Sequence, residues 1–195
     1  GCSREREISL ESGRAVAAAL RSLGHNVRPT DVKPGDVTAD LLKGLDVAFL
    51  ALHGEWGEDG GIQCELEGLG VCYTFSGPEA SRLAMDKVRA KERFSDDGIP
   101  TPAFRVAEPD DLAALEEALE CLGPQLVVKP VADGSSIGIG MADSRATLRR
   151  AARKVWARGE PALVERRILG REFTVGILGE MALPIIEIRT PGGWY

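Results

Sequence analysis

The stretch Leu126 to Gly140, LVVKPVADGSSIGIG, constrains this chain more than any other. An apolar run, Leu126-Val127-Val128, ends in Lys129. A short turn follows, then Gly134-Ser135-Ser136-Ile137-Gly138, then more apolar residues. The pattern predicts a buried strand that delivers one lysine to its end. Next comes a small-residue loop whose backbone N–H groups can approach an anion, then a second strand. A buried ammonium needs a partner, and a triphosphate supplies one. The loop is not a Walker A loop, since no G-x-x-x-x-G-K-[ST] run occurs. Taken alone, the stretch fits equally well a β-hairpin with a Gly/Ser turn and a lysine that reaches solvent.

The chain has 195 residues, enough for one large domain or two small ones. A net charge of −6 argues against a general nucleic-acid binder. No apolar run reaches membrane-spanning length. The opening GCSREREISL lacks the apolar core of a signal peptide and an initiator Met, so the natural N-terminus is expected upstream. Cys2, Cys64, Cys72 and Cys121 form no C-x-x-C pair, and His25 and His53 are far apart, so no zinc site is expected. The cysteines read as reduced thiols of a cytosolic protein, although a Cys64–Cys72 disulfide stays open.

Residues 10–23 predict a helix with an apolar face of Ala15, Val16, Ala19, Leu20 and Leu23 and a Gly24 cap. The run 47–52 predicts a strand covered on both faces of a parallel sheet. It ends at His53-Gly54, where ligands sit in open α/β sheets; a hydrogen-bonded loop histidine is the plain alternative. Residues 61–69 predict a short helix, 71–73 a short strand, and 78–94 one long helix carrying Lys87 and Lys91. The breaker cluster Asp97 to Pro102 places a domain change between residues 85 and 103. Helices are expected over 111–122 and from a Ser144 cap to about residue 158, the latter with a solvated basic face. Strands are expected at 162–164, 173–178 and 183–188.

Five groups of these residues, in order, resemble the D-alanine–D-alanine ligase family of the ATP-grasp superfamily. Ser3-Arg4-Glu5-Arg6-Glu7-Ile8-Ser9-Leu10 resembles its S-x-E-R-E-[VI]-S-L opening. Ala51-Leu52-His53-Gly54 with Gly57-Glu58-Asp59-Gly60 resembles A-L-H-G-x-x-G-E-D-G. Ala84-Met85-Asp86-Lys87 resembles A-M-D-K. Val128-Lys129-Pro130 with Gly134-Ser135-Ser136-Ile137-Gly138 resembles V-K-P-x-x-x-G-S-S-[VI]-G. Glu172-Phe173-Thr174-Val175 and Leu183-Pro184 match the closing strands. Phe75, Pro78 and Cys64 depart from the family at packing positions.

The resemblance implies an α/β fold: an N-terminal Rossmann-like (pre-ATP-grasp) parallel-sheet domain over 1–90, then the first α+β subdomain of an ATP-grasp fold over 91–195. It also implies a first strand ahead of Gly1 and a C-terminal subdomain beyond Tyr195, so the chain is expected to be a piece that makes no dipeptide by itself. The implied reaction is ATP-dependent joining of two D-alanines through an acyl phosphate, for peptidoglycan precursor synthesis. The implied cofactors are ATP and two Mg²⁺ ions, whose ligands are expected outside this chain, so no metal residue is assigned. Ligation to D-lactate or D-serine, or a truncated nucleotide-binding remnant, stays open.

By the same resemblance Glu5 holds the ammonium of the first D-alanine, supported by Ser135. His53 orients that substrate's carboxylate without acting as a base. Lys87 and Lys129 face phosphates, under a loop of Gly134, Ser135 and Ser136. Glu165, Arg166 and Ile168 contact adenine, and Glu172 the ribose. The lysines matter physically because a carboxylate must approach a polyanion; two unit charges about 4 Å apart interact by about 4 kcal/mol at an effective dielectric of about 20. The family further implies a homodimer; the reduced cysteines, the lack of a signal and the use of ATP imply the cytoplasm, and the charge and hydropathy imply a partner that is neither nucleic acid nor membrane.

Overall fold

The computed structural model describes residues 1–134 and 138–189. It divides into two compact units, one of Gly1–Thr101 with Val131–Ser135, the other of Pro102–Pro130 with Ser136–Tyr195. The fold is mixed α/β.

The first unit opens with helix α1 (Arg6–Ser22), followed by the single turn α2 (Ala39–Leu42), α3 (Gly61–Gly68), α4 (Pro78–Met85) and α5 (Lys87–Asp96). The inward side of α1 is not the expected stripe. Ser9 and Ala17 are buried, whereas Ala15 and Ala19 are exposed and Leu23 is 74% exposed. The buried pair is eight residues apart, two turns along one face, and it contains a serine, which an apolar count passes over. The run 47–52 makes a single parallel bridge, Ala48 to Tyr73, rather than a strand. Ala48 donates to the Cys72 carbonyl and Thr74 to the Ala48 carbonyl, but the Leu50 N–H goes to the Thr74 hydroxyl at 3.1 Å, which ends the ladder. Leu50, Trp56, Ile62 and Leu66 form the core of this unit.

The long helix expected over 78–94 is two helices. Asp86 leaves helical geometry (φ −82, ψ 104) and its carboxylate accepts from the N–H of Val88 at 3.0 Å and Arg89 at 3.1 Å. A short acidic side chain is a poor interior helix residue and a good N-cap. Its capping makes Lys87 the first residue of α5.

The second unit runs β1 (Phe104–Ala107), α6 (Leu112–Leu122), β2 (Leu126–Pro130), β3 (Gly140–Ala142), α7 (Arg145–Trp156) and β4 (Ala162–Arg166). These strands form an antiparallel sheet in the order β1-β4-β2-β3. Helices α6 and α7 cover one face, where Leu115, Leu126, Val128, Leu148, Val155 and Val164 are buried. Helix α7 starts in a capping box of Ser144 and Thr147. The remaining short strands, β5 (Glu172–Thr174), β6 (Ile177–Leu178), β7 (Met181–Ala182) and β8 (Ile186–Ile188), pair β5 with β8 and β6 with β7.

Candidate functional site

In the first unit, Glu5 and His53 are brought together by the end of α1 and the turn after residue 52. Glu5 stands at the N-cap of α1 without a side-chain cap bond. Its carboxylate lies against Gly54: a Cβ built on Gly54 would sit 2.8 Å from Glu5 Oε2. Gly54 also has a left-handed φ of 74, so glycine is required there twice over. Gly134 is beside the same oxygen, since a Cβ there would sit 3.9 Å from it.

His53 is held on all sides. Its N–H donates to Ser9 Oγ at 2.9 Å, and its carbonyl accepts from Ser3 Oγ at 2.6 Å. Ring atom Nε2 is 3.0 Å from Ser12 Oγ, and Nδ1 is 3.6 Å from Glu58 Oε1. Glu58 Oε2 also accepts the Gly54 N–H at 2.7 Å. The Ser12 contact at one ring nitrogen, with the Glu58 carboxylate near the other, fixes the direction of the ring. The loop behind it is tightly made. Trp56 is buried at a positive φ of 65, with its N–H donating to Asp59 Oδ2 and its indole N–H to Glu65. Gln63, also buried, donates to the Gly57 carbonyl. Backbone strain of this kind persists only where surrounding bonds over-determine it.

Lys87 closes the same unit around residues 131–134. Its backbone N–H donates to the Val131 carbonyl at 3.0 Å. Its ammonium donates to that carbonyl at 3.3 Å and to the Asp133 carbonyl. The strand-exit loop is thus drawn onto the start of α5, next to Gly134. Ser135 and Ser136 lie outside the described residues.

In the second unit the sheet's alternation sorts the remaining candidates. Leu126, Val128 and Pro130 point to the helices, so Lys129 lies on the opposite face. Register places Lys129 opposite Leu163 and Val127 opposite Glu165, making Lys129 and Glu165 diagonal neighbours on that face. They form an ion pair, with side chains 21% and 9% exposed. β2 and β3 do form a hairpin, and its lysine is held against Glu165 and is only 21% exposed. The sequence marks Glu165 only as an adenine contact by resemblance; its pairing with Lys129 was not legible, because partners across a sheet depend on register. Arg166 is exposed and its guanidinium donates to the Leu122 carbonyl at 3.2 Å, closing the end of α6. Ile168 is 65% exposed, and Glu172 is exposed at the start of β5.

The residues missed in the sequence are Ser3, Ser9, Ser12 and Glu58. Ser9 and Ser12 are three apart on one helix, which places both hydroxyls on one face, but hydroxyl pairs of that spacing are common. No group of three or more His, Cys, Asp or Glu side chains able to hold a metal ion occurs among the described residues. No helix among the described residues is long and apolar enough to cross a membrane.

Residues 94–195 match a family model described as D-ala D-ala ligase C-terminus. The chain is 46% identical over 195 residues to a D-alanine–D-alanine ligase of Alcanivorax borkumensis, covering 100% of this chain and 60% of that protein. It is 45% identical over 197 residues to one of Dechloromonas aromatica, covering 100% of this chain and 64% of that protein. The crystal structure of a D-alanine–D-alanine ligase from Bacillus anthracis complexed with ATP superposes with a TM-score of 0.85 at 33% identity, over 97% of this chain and 61% of that one. The chain thus spans 60% and 64% of the length of these two curated relatives.

Proposed function

Because the chain belongs to the D-alanine–D-alanine ligase family, we propose that its protein joins two D-alanines with ATP, in the cytoplasm and as a homodimer, for peptidoglycan synthesis. In this reading residues 1–90 form a Rossmann-like substrate domain and residues 91–195 a central ATP-grasp subdomain. The parallel bridge from Ala48 to Tyr73 supports the first part.

The observation that carries the reading is the Glu5 carboxylate set against Gly54, next to His53 and to Gly134. A carboxylate there suits an amino-acid ammonium. The imidazole beside it suits the substrate's carboxylate, whose oxygen attacks the terminal phosphate. The acyl phosphate that results is open to the amine of the second D-alanine. Lys129 and Lys87, with the Gly134 to Ser136 loop, are the cations and donors for the phosphates. An ammonium carries three N–H donors, so pairing with Glu165 orients Lys129 while leaving donors for phosphate oxygens. Glu165, Arg166 and Ile168 are assigned to adenine and Glu172 to the ribose.

The test is D-alanine-dependent ADP release by the full-length polypeptide, wild type and Glu5→Gln. We expect Glu5→Gln to raise KM for the first D-alanine by about 100-fold, the order of a lost charged hydrogen bond, with KM for ATP unchanged. Wild-type ATP turnover that ignores D-alanine would end the assignment.

A further inference from the structure

Two serines of the Ser3 to Leu10 run take no part in the chemistry above, yet they join Glu5 to His53. The Glu5 N–H donates to Ser3 Oγ at 3.2 Å, and that hydroxyl donates to the His53 carbonyl at 2.6 Å. The His53 N–H donates to Ser9 Oγ at 2.9 Å, and that hydroxyl donates to the Glu5 carbonyl at 3.2 Å. The two bridges run in opposite directions. Together they engage the N–H and C=O of both residues through two hydroxyls. Ser9 is only 5% exposed, so water is a poor substitute for it. Ser12 holds the imidazole from the same helix at 3.0 Å.

An α-amino acid carries its ammonium and carboxylate one carbon apart. The groups that receive them therefore need a fixed spacing, and a carboxylate on a helix start and an imidazole on a distant turn have none by covalent structure. We infer that Ser3 and Ser9 are positioning residues that clamp the Glu5 backbone to the His53 backbone and so set the geometry of the first amino-acid subsite. This rests on the assignment of Glu5 and His53 to that subsite. A misplacement of about 1 Å in such a site can cost on the order of 100-fold.

The test compares Ser3→Ala, Ser9→Ala, Ser3→Thr and Glu5→Gln, singly and with each alanine variant combined with Glu5→Gln, in the full-length polypeptide. Each is measured for KM of the first D-alanine, KM of ATP and thermal midpoint. Both alanine variants should raise the D-alanine KM by about tenfold or more and leave the ATP KM in place. Ser3→Thr, which keeps the hydroxyl, should restore it. In the Glu5→Gln background the alanine changes should add little, because residues acting through one another are not additive. Ser3 is half-buried, so its variants carry the test if Ser9→Ala does not fold. An unchanged D-alanine KM, equal rises in both KM values, or full additivity with Glu5→Gln would overturn the inference. A Glu5→Gln enzyme with normal D-alanine KM would instead overturn the subsite assignment itself.

Discussion

Lys129 is tied first of all to its own sheet. Its ammonium sits on the helix-free face of the sheet against a carboxylate that is largely buried. Removing one partner of such a pair costs more than the pair contributes, because it leaves a buried charge without its counter-charge. Lys129→Met should therefore lower stability by about 2–3 kcal/mol, read from urea unfolding at neutral pH. Lys129→Met with Glu165→Gln should recover most of that loss, since no buried charge is then left alone. If the double variant regains stability but its full-length form stays inactive while full-length Glu165→Gln alone is active, the lysine has a chemical duty beyond the pair. Equal stability of Lys129→Met and wild type would show that the pair contributes nothing to folding.

Among the elements, the break at Asp86 has the largest consequence for the site. A continuous helix would spend the Lys87 N–H on the carbonyl four residues earlier. Capping by Asp86 makes that N–H a first-turn donor, and it reaches the Val131 carbonyl instead. Asp86→Ala should cost about 1 kcal/mol through the lost cap, and Asp86→Ser, which keeps an acceptor, should cost less. Chemical denaturation of the three proteins checks the order. Amide exchange of Lys87 should quicken in the alanine variant alone; unchanged exchange would mean that the junction is held by other contacts.

For the molecule as a whole, acid stability follows from carboxylates in both units. Arg6 bonds Asp31 at 2.5 and 2.9 Å and holds its pKa down at about 2. Arg171 and then Arg189 hold Glu187 below the usual carboxylate range. A carboxyl group whose folded pKa is depressed stabilises the fold above its unfolded pKa, about 4, and loses that contribution as pH falls through the folded value. Stability should thus decline as pH drops from about 4 towards 2, and Asp31→Asn should flatten part of the decline. Urea midpoints at pH 7, 4 and 2.5 (roughly spanning that window) measure it. Parallel curves for wild type and Asp31→Asn would show that the Arg6–Asp31 tie carries no pH-dependent stability.

Local pattern determined much of this protein. Capping by Ser144, helices near 112–122 and 145–156, and strands near 126–130 and 162–166 were all legible, because periodicity, caps and breakers act between neighbours in the chain. The ordered motifs also point to the family that the comparisons show. Tertiary structure alone decided that residues 47–52 make one bridge and not a strand, that α1 turns Ser9 and Ala17 inward, and that Glu165 meets Lys129. It also decided that two serines tie Glu5 to His53. Ladder partners, register and hydroxyl bridges join residues far apart in sequence, and no local propensity encodes which distant group will satisfy a given donor.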